Sequence, residues 1–204
     1  LAITAYLLSL AVFLPLSGWL ADRLGARRVF CLAIALFSFG SALCGVADSL
    51  PELVLFRILQ GLGGAMMVPV GRLILLRAVP PEGMVEAMVW FTVPAVIGRM
   101  AGPLFGGAIV TYASWHWIFL VNIPFGLLAI ALTLAFVSDD PPAVDPVPFD
   151  FGGFALLALG LSLLLGALET AGRAMVPVPM SWMAALIGAM LLWQYTRHSR
   201  RRSQ

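Results

Sequence analysis

The chain has 204 residues, of which 61% are hydrophobic and 11% are charged, and its formal net charge is +2. A soluble domain carries about 25% charged residues, so this composition excludes a soluble globular protein and indicates an integral membrane protein. The sequence contains no Gly-x-x-x-x-Gly-Lys string, and its two histidines, His116 and His198, are isolated, so no nucleotide cofactor and no metal centre are expected.

Seven apolar stretches follow one another along the chain, each close to the roughly 20 residues that cross a bilayer. We expect an all-α membrane bundle with transmembrane helices at 1–20, 29–47, 52–75, 86–111, 117–137, 151–171 and 180–196. Between the fifth and sixth stretches, residues 138–150 are rich in Pro and Asp, which is typical of an extended linker between two helical bundles.

The arginines between these stretches orient the chain in the membrane. Positive residues are retained on the cytoplasmic side, and of the loop arginines only Arg173 falls on the opposite side. The first residue is therefore expected on the outer side of a multi-pass protein of the inner or plasma membrane. The loop and flanking arginines assigned to the cytoplasmic side are Arg23, Arg27, Arg28, Arg72, Arg77, Arg197, Arg200, Arg201 and Arg202.

A charged string follows the first stretch. Residues 18–28 read Gly-Trp-Leu-Ala-Asp-Arg-Leu-Gly-Ala-Arg-Arg, with Asp22 beside Arg23 and a glycine on each side of the pair. In general terms this is a cytoplasmic loop with a glycine turn. The close combination of one aspartate, three arginines and two flanking glycines is more specific than that description requires.

Arg57 lies about two turns inside the third stretch. With Gln60, Gly61 and Gly64 it follows the spacing i, i+3, i+4, i+7, which places the four residues on one helical face. An arginine inside the bilayer costs at least about 2.5–3.5 kcal/mol unless that face points into a bundle or a wet cavity. Alternatively, the side chain could extend to the outer headgroups. The glycines favour the bundle interior, because a face turned to lipid does not need close approach.

Glycines recur every four residues in the stretch at 86–111, at Gly98, Gly102 and Gly106, and Pro103 and Gly107 interrupt the same run. This spacing puts the three glycines close to one face, where a neighbouring helix can approach closely. Pro103 removes one amide donor and favours a kink. A membrane helix tolerates these residues, so we expect a bent helix with a groove.

Three further ionisable residues lie in or beside the apolar stretches. Arg99 is near mid-bilayer, where a charge is a functional-site hypothesis: it either lines a cavity and disfavours cations, or it bonds to carbonyls freed around Pro103. Glu169 is near the outer end of its stretch and is expected to be solvated. Asp150 precedes Phe151 and is expected to cap the next helix.

Four strings in this order resemble motifs of the major facilitator superfamily. Residues 18–28 resemble the signature loop between its second and third helices, and 57–63 resemble its fourth-helix motif, Arg-x-x-Gln-Gly-x-Gly. Residues 98–107 resemble the fifth-helix motif of antiporters, and 115–124 resemble the start of the sixth helix. Each string is weak alone, but four in the family's order form a specific resemblance.

The resemblance implies a partial transporter bundle. The seven stretches then correspond to helices two to eight, with 1–137 in the amino-terminal bundle and 138–150 as the cytoplasmic linker. Residues 194–200 lack the repeat of the signature loop that twelve-helix members often carry after the eighth helix. This favours the fourteen-helix drug:proton antiporters, so that 151–196 form two extra linking helices and 197–204 a basic cytoplasmic segment.

The resemblance also implies roles for the motif residues. The loop motif is thought to latch the two bundles together, the fourth-helix residues Arg57 and Gln60 are linked to proton coupling, and the fifth-helix motif is thought to control leakage and direction. The loop residues are Gly18, Asp22, Arg23, Gly25, Arg27 and Arg28. The fifth-helix residues are Gly98, Gly102, Pro103, Gly106 and Gly107, and Arg99 departs from the family there.

The expected function is proton-coupled efflux of drugs or other amphipathic small molecules by alternating access between two bundles. The expected partners are the small-molecule substrate, protons, the lipid bilayer and the carboxyl-terminal bundle of the same protein, with no nucleic acid and no enzymatic activity. Two alternatives stay open: a uniporter or symporter for a metabolite, and a membrane scaffold or sensor without transport. A membrane enzyme ranks below both, because no paired acid/base or nucleophile constellation lies within the stretches.

Overall fold

The computed structural model describes residues 1–139, 148–172 and 177–202, and within them the regular structure is entirely helical. Residues 140–147 of the predicted linker, and Arg173, lie outside the described residues. The helices are α1 (Ala2–Phe13), α2 (Leu16–Leu24), α3 (Ala26–Cys44), α4 (Leu50–Ala78), a 3₁₀ turn (Pro81–Gly83), α5 (Met84–Tyr112), α6 (Trp117–Leu120), α7 (Asn122–Phe136), α8 (Phe151–Gly172) and α9 (Val178–Arg202).

Five segments of the described chain are long and apolar enough to cross a membrane, and the bent pair of α1 and α2 makes a sixth if it is one span. The predicted all-helical membrane architecture is thereby confirmed. The stretch predicted at 180–196 lies within α9, which does not pass the same test. This helix continues through the arginines to Arg202, so the basic segment is helical at least that far.

The stretch predicted as a transmembrane helix at 1–20 is bent in the structure. Helix α1 ends at Phe13, α2 begins at Leu16, and the two axes differ by 54°. Pro15 explains the break, because its ring removes an amide donor and clashes with the carbonyl one turn earlier. The Ser17 hydroxyl donates to the Leu14 carbonyl at 2.7 Å and satisfies one acceptor at the break.

Helices α3 and α4 form the tightest contact of the bundle because glycines replace side chains between them. A Cβ atom on Gly63 would lie 2.5 Å from the Phe37 amide nitrogen and 2.7 Å from the Ala33 carbonyl oxygen. A Cβ atom on Gly40 would lie 2.8 Å from Gln60 Cα. The core beside this contact is also built largely from small residues, namely Ala21, Ala26, Val29, Ala33, Met66 and Val70.

Helices α8 and α9 pair in the same way. A Cβ atom on Gly188 would lie 2.8 Å from the Leu164 amide nitrogen and 2.9 Å from the Gly160 carbonyl oxygen. Helix α8 also packs against α1, where the rings of Phe13 and Phe154 lie 6.0 Å apart between centroids. The two carboxyl-terminal helices thus form a hairpin that rests on the first helix.

Helix α5 is the least packed element in the described part of the chain. It runs without interruption through Pro94 and Pro103, and none of its residues is buried. A Cβ atom on any glycine of the fifth-helix motif would meet nothing within 4 Å among the described residues. The expectation that another helix approaches this face therefore stays a prediction.

Candidate functional site

Arg57 points into the bundle between α1, α4 and α6. Its guanidinium carbon lies 4.6 Å from the ring centroid of Phe119 and 5.3 Å from that of Tyr6. Its Nη1 donates to Oε1 of the Gln60 side-chain amide at 3.1 Å. Stacking of a guanidinium on an aromatic ring contributes about 0.5–1 kcal/mol at exposed sites and more as water is excluded. These contacts turn the half-buried side chain toward α1 and α6, and the bundle-facing alternative stays a prediction.

Gln60 continues the network from Arg57 to α3. Only 2% of Gln60 is exposed, and its Nε2 donates to the Ser41 hydroxyl at 2.9 Å. The same hydroxyl accepts from Asn122 Nδ2 at 3.0 Å and donates to the Phe119 carbonyl at 2.9 Å. A hydroxyl offers one donor and two acceptor sites, and Ser41 uses all three. We call Arg57, Gln60, Ser41 and Asn122 the polar cluster.

The polar cluster fixes the orientation of the Gln60 amide. Arginine can only donate, so the Gln60 oxygen must face Arg57 and its nitrogen must face Ser41. Arg57 is thus held in one direction by a chain of contacts that reaches from α4 through α3 to α7. The Arg57 Nε atom is buried without a hydrogen-bond partner among the described residues.

The predicted common face of α4 divides between two neighbouring helices. Gln60 meets α3, whereas Gly61 and Gly64 meet α1: a Cβ atom on Gly61 would lie 2.6 Å from Ser9 Cβ, and one on Gly64 would lie 3.1 Å from the Tyr6 hydroxyl oxygen. The two glycines therefore let α1 approach the same turn that carries Arg57. The Ser9 hydroxyl strengthens this contact by donating to the Ile58 carbonyl at 2.7 Å.

The sequence did not single out Ser41, Tyr6 or Ser9, and it placed Asn122 only within a motif. Isolated serines are common in apolar helices, so Ser41 carries no distinguishing pattern. Its role depends on the rotation of α3 about its own axis, which the Gly40 contact with Gln60 sets. For Asn122, the signal in the sequence was its place in the string 115–124, which resembles the start of the family's sixth helix.

The loop at 18–28 has one residue with a backbone reserved for glycine. Gly25 has φ 88°, in the left-handed region that side chains disfavour. Its amide donates to the Ala21 carbonyl at 3.0 Å, so it ends α2 and starts α3 in a single residue. Gly18, by contrast, has space for a side chain, because a Cβ atom there would meet nothing within 4 Å.

The charged residues of the loop contact other parts of the same bundle. Asp22 forms an ion pair with Arg77, in the last turn of α4, at 3.4 Å between Oδ1 and Nη2. The Arg23 guanidinium lies 5.3 Å from the Trp19 ring centroid. Both charges of the Asp22–Arg77 pair are about half exposed, and exposed pairs stabilise a fold by roughly 0–1 kcal/mol.

Arg27 and Arg28 connect the loop to the end of α7. Arg27 Nη2 donates to the Leu134 carbonyl at 2.6 Å, one of the last four carbonyls of that helix, which lack a partner within the helix itself. Arg28 forms an ion pair with Asp139 at 3.3 Å. Through these two contacts, the start of α3 is held against the end of α7 and against Asp139, at the start of the predicted linker.

Two further sequence-predicted residues lie outside these clusters. Arg99 is exposed on α5 and has no hydrogen bond or ion pair with any residue that the structure describes, so the carbonyls around Pro103 do not hold it. Glu169 was expected to be solvated, but its side chain is only 15% exposed. Packing of α8 on α1 covers it, which the position in sequence did not reveal.

Asp150 caps α8 as expected, by accepting from the Gly153 amide at 2.9 Å. It also lies 2.9 Å from Nε2 of His198 near the end of α9. Among the described residues, no group of three or more His, Cys, Asp or Glu side chains could hold a metal ion.

Comparison with known proteins adds the family context. The sequence matches the Major Facilitator Superfamily over residues 1–198. It is 45% identical over 201 residues to the "Putative multidrug resistance protein MdtD" of Escherichia fergusonii, covering 98% of this chain and 42% of that protein. The protein of the same name from Klebsiella pneumoniae subsp. pneumoniae is 45% identical over 200 residues, covering 97% of this chain and 42% of that protein. The chain thus spans less than half the length of these relatives.

Proposed function

The chain belongs to the Major Facilitator Superfamily, and from this premise we propose that the protein containing it exports drugs or other amphipathic small molecules in exchange for protons. Its apolar helices make it a multi-pass protein of the inner membrane. Export would proceed by alternating access, with the substrate site exposed first on one side of the membrane and then on the other. The names of the relatives, which refer to multidrug resistance, support drugs as the substrate class.

The observation that carries this proposal is the position of Arg57 within the polar cluster. A fixed arginine favours the ionised form of a carboxylate within about 4–6 Å. A carboxylate that loses and regains its proton beside Arg57 would couple proton movement to a change of bundle orientation. Arg57 has no ion pair with the carboxylates that the structure describes.

The loop at 18–28 is proposed to latch this bundle to a second one. Asp22 would act by facing the amino terminus of a helix there, where the backbone dipole favours negative charge. The contacts of Arg27 and Arg28 with the end of α7 hold the loop in place for that role. The exposed glycine face of α5 is proposed as a second surface against which the other bundle moves.

The proposed division of the chain is a bundle over 1–137, a linker over 138–150 and a linking helix pair over 151–196, followed by the basic segment 197–204. Two contacts support it. The tight α8–α9 pairing makes the two linking helices one unit, and the contact of α8 with α1 attaches that unit to the bundle.

Two other functions compete with drug export. A metabolite uniporter or symporter would use the same fold, but that function does not explain the string at 98–107 that resembles the antiporter motif. A non-transporting scaffold or sensor would not need the half-buried charge of Arg57 in an apolar helix. Transport rather than covalent chemistry fits the family, so we do not propose an enzyme.

Efflux of a panel of lipophilic drugs from vesicles that hold the full-length protein, with and without a proton gradient, tests the proposal. We expect gradient-dependent efflux that Arg57→Ala abolishes. Arg200→Ala, which removes the same charge at an exposed position of α9, should retain it. Gradient-dependent efflux that persists in the Arg57→Ala variant would disprove the coupling role. A wild-type protein that moves no compound in either direction would disprove transport itself.

A further inference from the structure

A cleft opens between α8 and α9 at their predicted cytoplasmic ends, away from the polar cluster. Its volume is about 370 Å³. Apolar side chains form one part of its lining and polar side chains the other. The lining residues are Leu156, Met190, Trp193, Gln194, Arg197 and His198. None of them has a role in the proposed transport mechanism.

The polar part of the cleft is suited to an anion. The Arg197 guanidinium lies 3.6 Å from the centroid of the Trp193 ring, and this stacking leaves the edge of the guanidinium free to donate hydrogen bonds. Arginine edges match the two oxygens of a phosphate well. Among the described residues, Arg197 has no carboxylate partner, and the carboxylate beside the cleft, Asp150, already accepts from His198 and the Gly153 amide.

The apolar part of the cleft lies deeper in the membrane. At a rise of about 1.5 Å per residue, Met190 is about 10 Å from Arg197 along the axis of α9, toward the bilayer centre. Leu156 lies opposite on α8. Tryptophan at the level of Trp193 is typical of the boundary between headgroups and acyl chains. The cleft is therefore charged at headgroup depth and apolar below it.

We propose that this cleft binds an anionic phospholipid of the cytoplasmic leaflet. The phosphate would contact the Arg197 guanidinium and the Gln194 amide, and one acyl chain would lie along Leu156 and Met190. Arg200, Arg201 and Arg202 follow in the sequence, and basic residues directly cytoplasmic to a membrane helix raise the local concentration of anionic lipid. The bound lipid would join α8 to α9 at the end where Asp150 and His198 also connect them.

The test compares phosphatidylglycerol with phosphatidylcholine as ligands of the purified full-length protein, with bound lipid counted by native mass spectrometry. We expect the wild-type protein to retain phosphatidylglycerol selectively and Arg197→Gln to lower this affinity by about tenfold, since a charge-assisted contact is lost. Arg200→Gln makes the same charge change one turn away, outside the cleft lining, and should lower it by about twofold at most.

A second pair of variants tests the stacking on Trp193. Trp193→Phe keeps a ring under Arg197 and should retain most of the binding, whereas Trp193→Ala should lose as much as Arg197→Gln. Thermal unfolding of each variant shows that it is folded.

Three results would overturn the proposal. Equal losses in Arg197→Gln and Arg200→Gln would indicate diffuse attraction to the basic end of α9. Equal retention of the two lipids by the wild-type protein would remove the selectivity for anions. Binding of millimolar inorganic phosphate that Arg197→Gln abolishes, with no retention of phosphatidylglycerol by the wild-type protein, would show that the site takes free phosphate and not a lipid.

Discussion

The Gln60 amide nitrogen donates to the Ser41 hydroxyl at 2.9 Å, directly beside Gly40, where the backbones of α3 and α4 lie close together. The same amide faces Arg57 with its oxygen. The orientation of the arginine therefore depends on a serine of another helix that it does not touch.

Ser41→Ala tests this dependence. The change leaves the Gln60 and Asn122 amides without their common acceptor and the Phe119 carbonyl without its donor. A buried polar group without a partner costs about 1–3 kcal/mol, so we expect lower thermal stability together with weaker proton dependence of efflux. Ser38→Ala is the matched control, because the Ser38 hydroxyl is buried without a partner among the described residues. A Ser41→Ala protein that matches this control in both measurements would contradict the role of the polar cluster.

Gly63→Ala tests the close approach of α3 and α4. The added methyl group would meet the backbone of Phe37 and Ala33 well inside normal contact distances, and backbone atoms cannot rotate away. Overpacking of this kind costs about 1–3 kcal/mol, to be measured as a shift in thermal unfolding. Gly18→Ala is the control: a methyl group there has open space, and alanine is the better helix former by about 1 kcal/mol. Equal destabilisation by both variants would show that α3 and α4 are farther apart at Gly63 than these distances indicate.

Two variants separate the stabilising and latching roles of the loop. Arg77→Gln removes the exposed partner of Asp22 and should change stability by about 1 kcal/mol or less, with efflux largely retained. Asp22→Asn removes the charge that is proposed to face the second bundle, and efflux should be lost although the protein stays folded. The measurements are thermal unfolding and gradient-driven efflux of the full-length protein. Similar efflux in the two variants would count against the latch.

Arg99→Ala addresses the cavity role of Arg99, which the structure leaves without a protein partner in the described chain. If this charge repels cations from a substrate path, the variant should export cationic drugs about tenfold better relative to neutral ones, which corresponds to about 1.4 kcal/mol of repulsion. Arg99→Lys keeps the charge and should keep the wild-type selectivity. An unchanged ranking of cationic and neutral drugs in Arg99→Ala would remove the cavity role.

The sequence predicted the helices better than their interruptions. Long apolar runs located every span-length segment, because lipid allows few alternatives to a helix. The break at Pro15 was missed because prolines are tolerated in membrane helices, as Pro94 and Pro103 in α5 show. Whether a proline interrupts a helix depends on which neighbouring groups satisfy the freed carbonyls, and that is a tertiary property.

The candidate site was predictable only in part. Arg57 and Gln60 were identifiable because a charge and an amide in an apolar helix are costly and therefore conspicuous. Ser41 and Tyr6 were not, because their part in the site depends on how α1 and α3 are rotated against α4. Glu169 shows the same limit, since its depth along α8 suggested solvent and only the packing on α1 covers it.

Helix α5 has a practical consequence for anyone who purifies this protein. Pro94 and Pro103 leave the carbonyls of Trp90 and Arg99 without their usual amide donors, and no buried residue of this helix holds it to its neighbours in the described chain. Surrounding acyl chains would exclude the water that competes for the remaining backbone hydrogen bonds of α5. Harsh delipidation should therefore unwind α5 before the α3–α4 core is affected, so the proposed export should be measured after gentle extraction that keeps annular lipid.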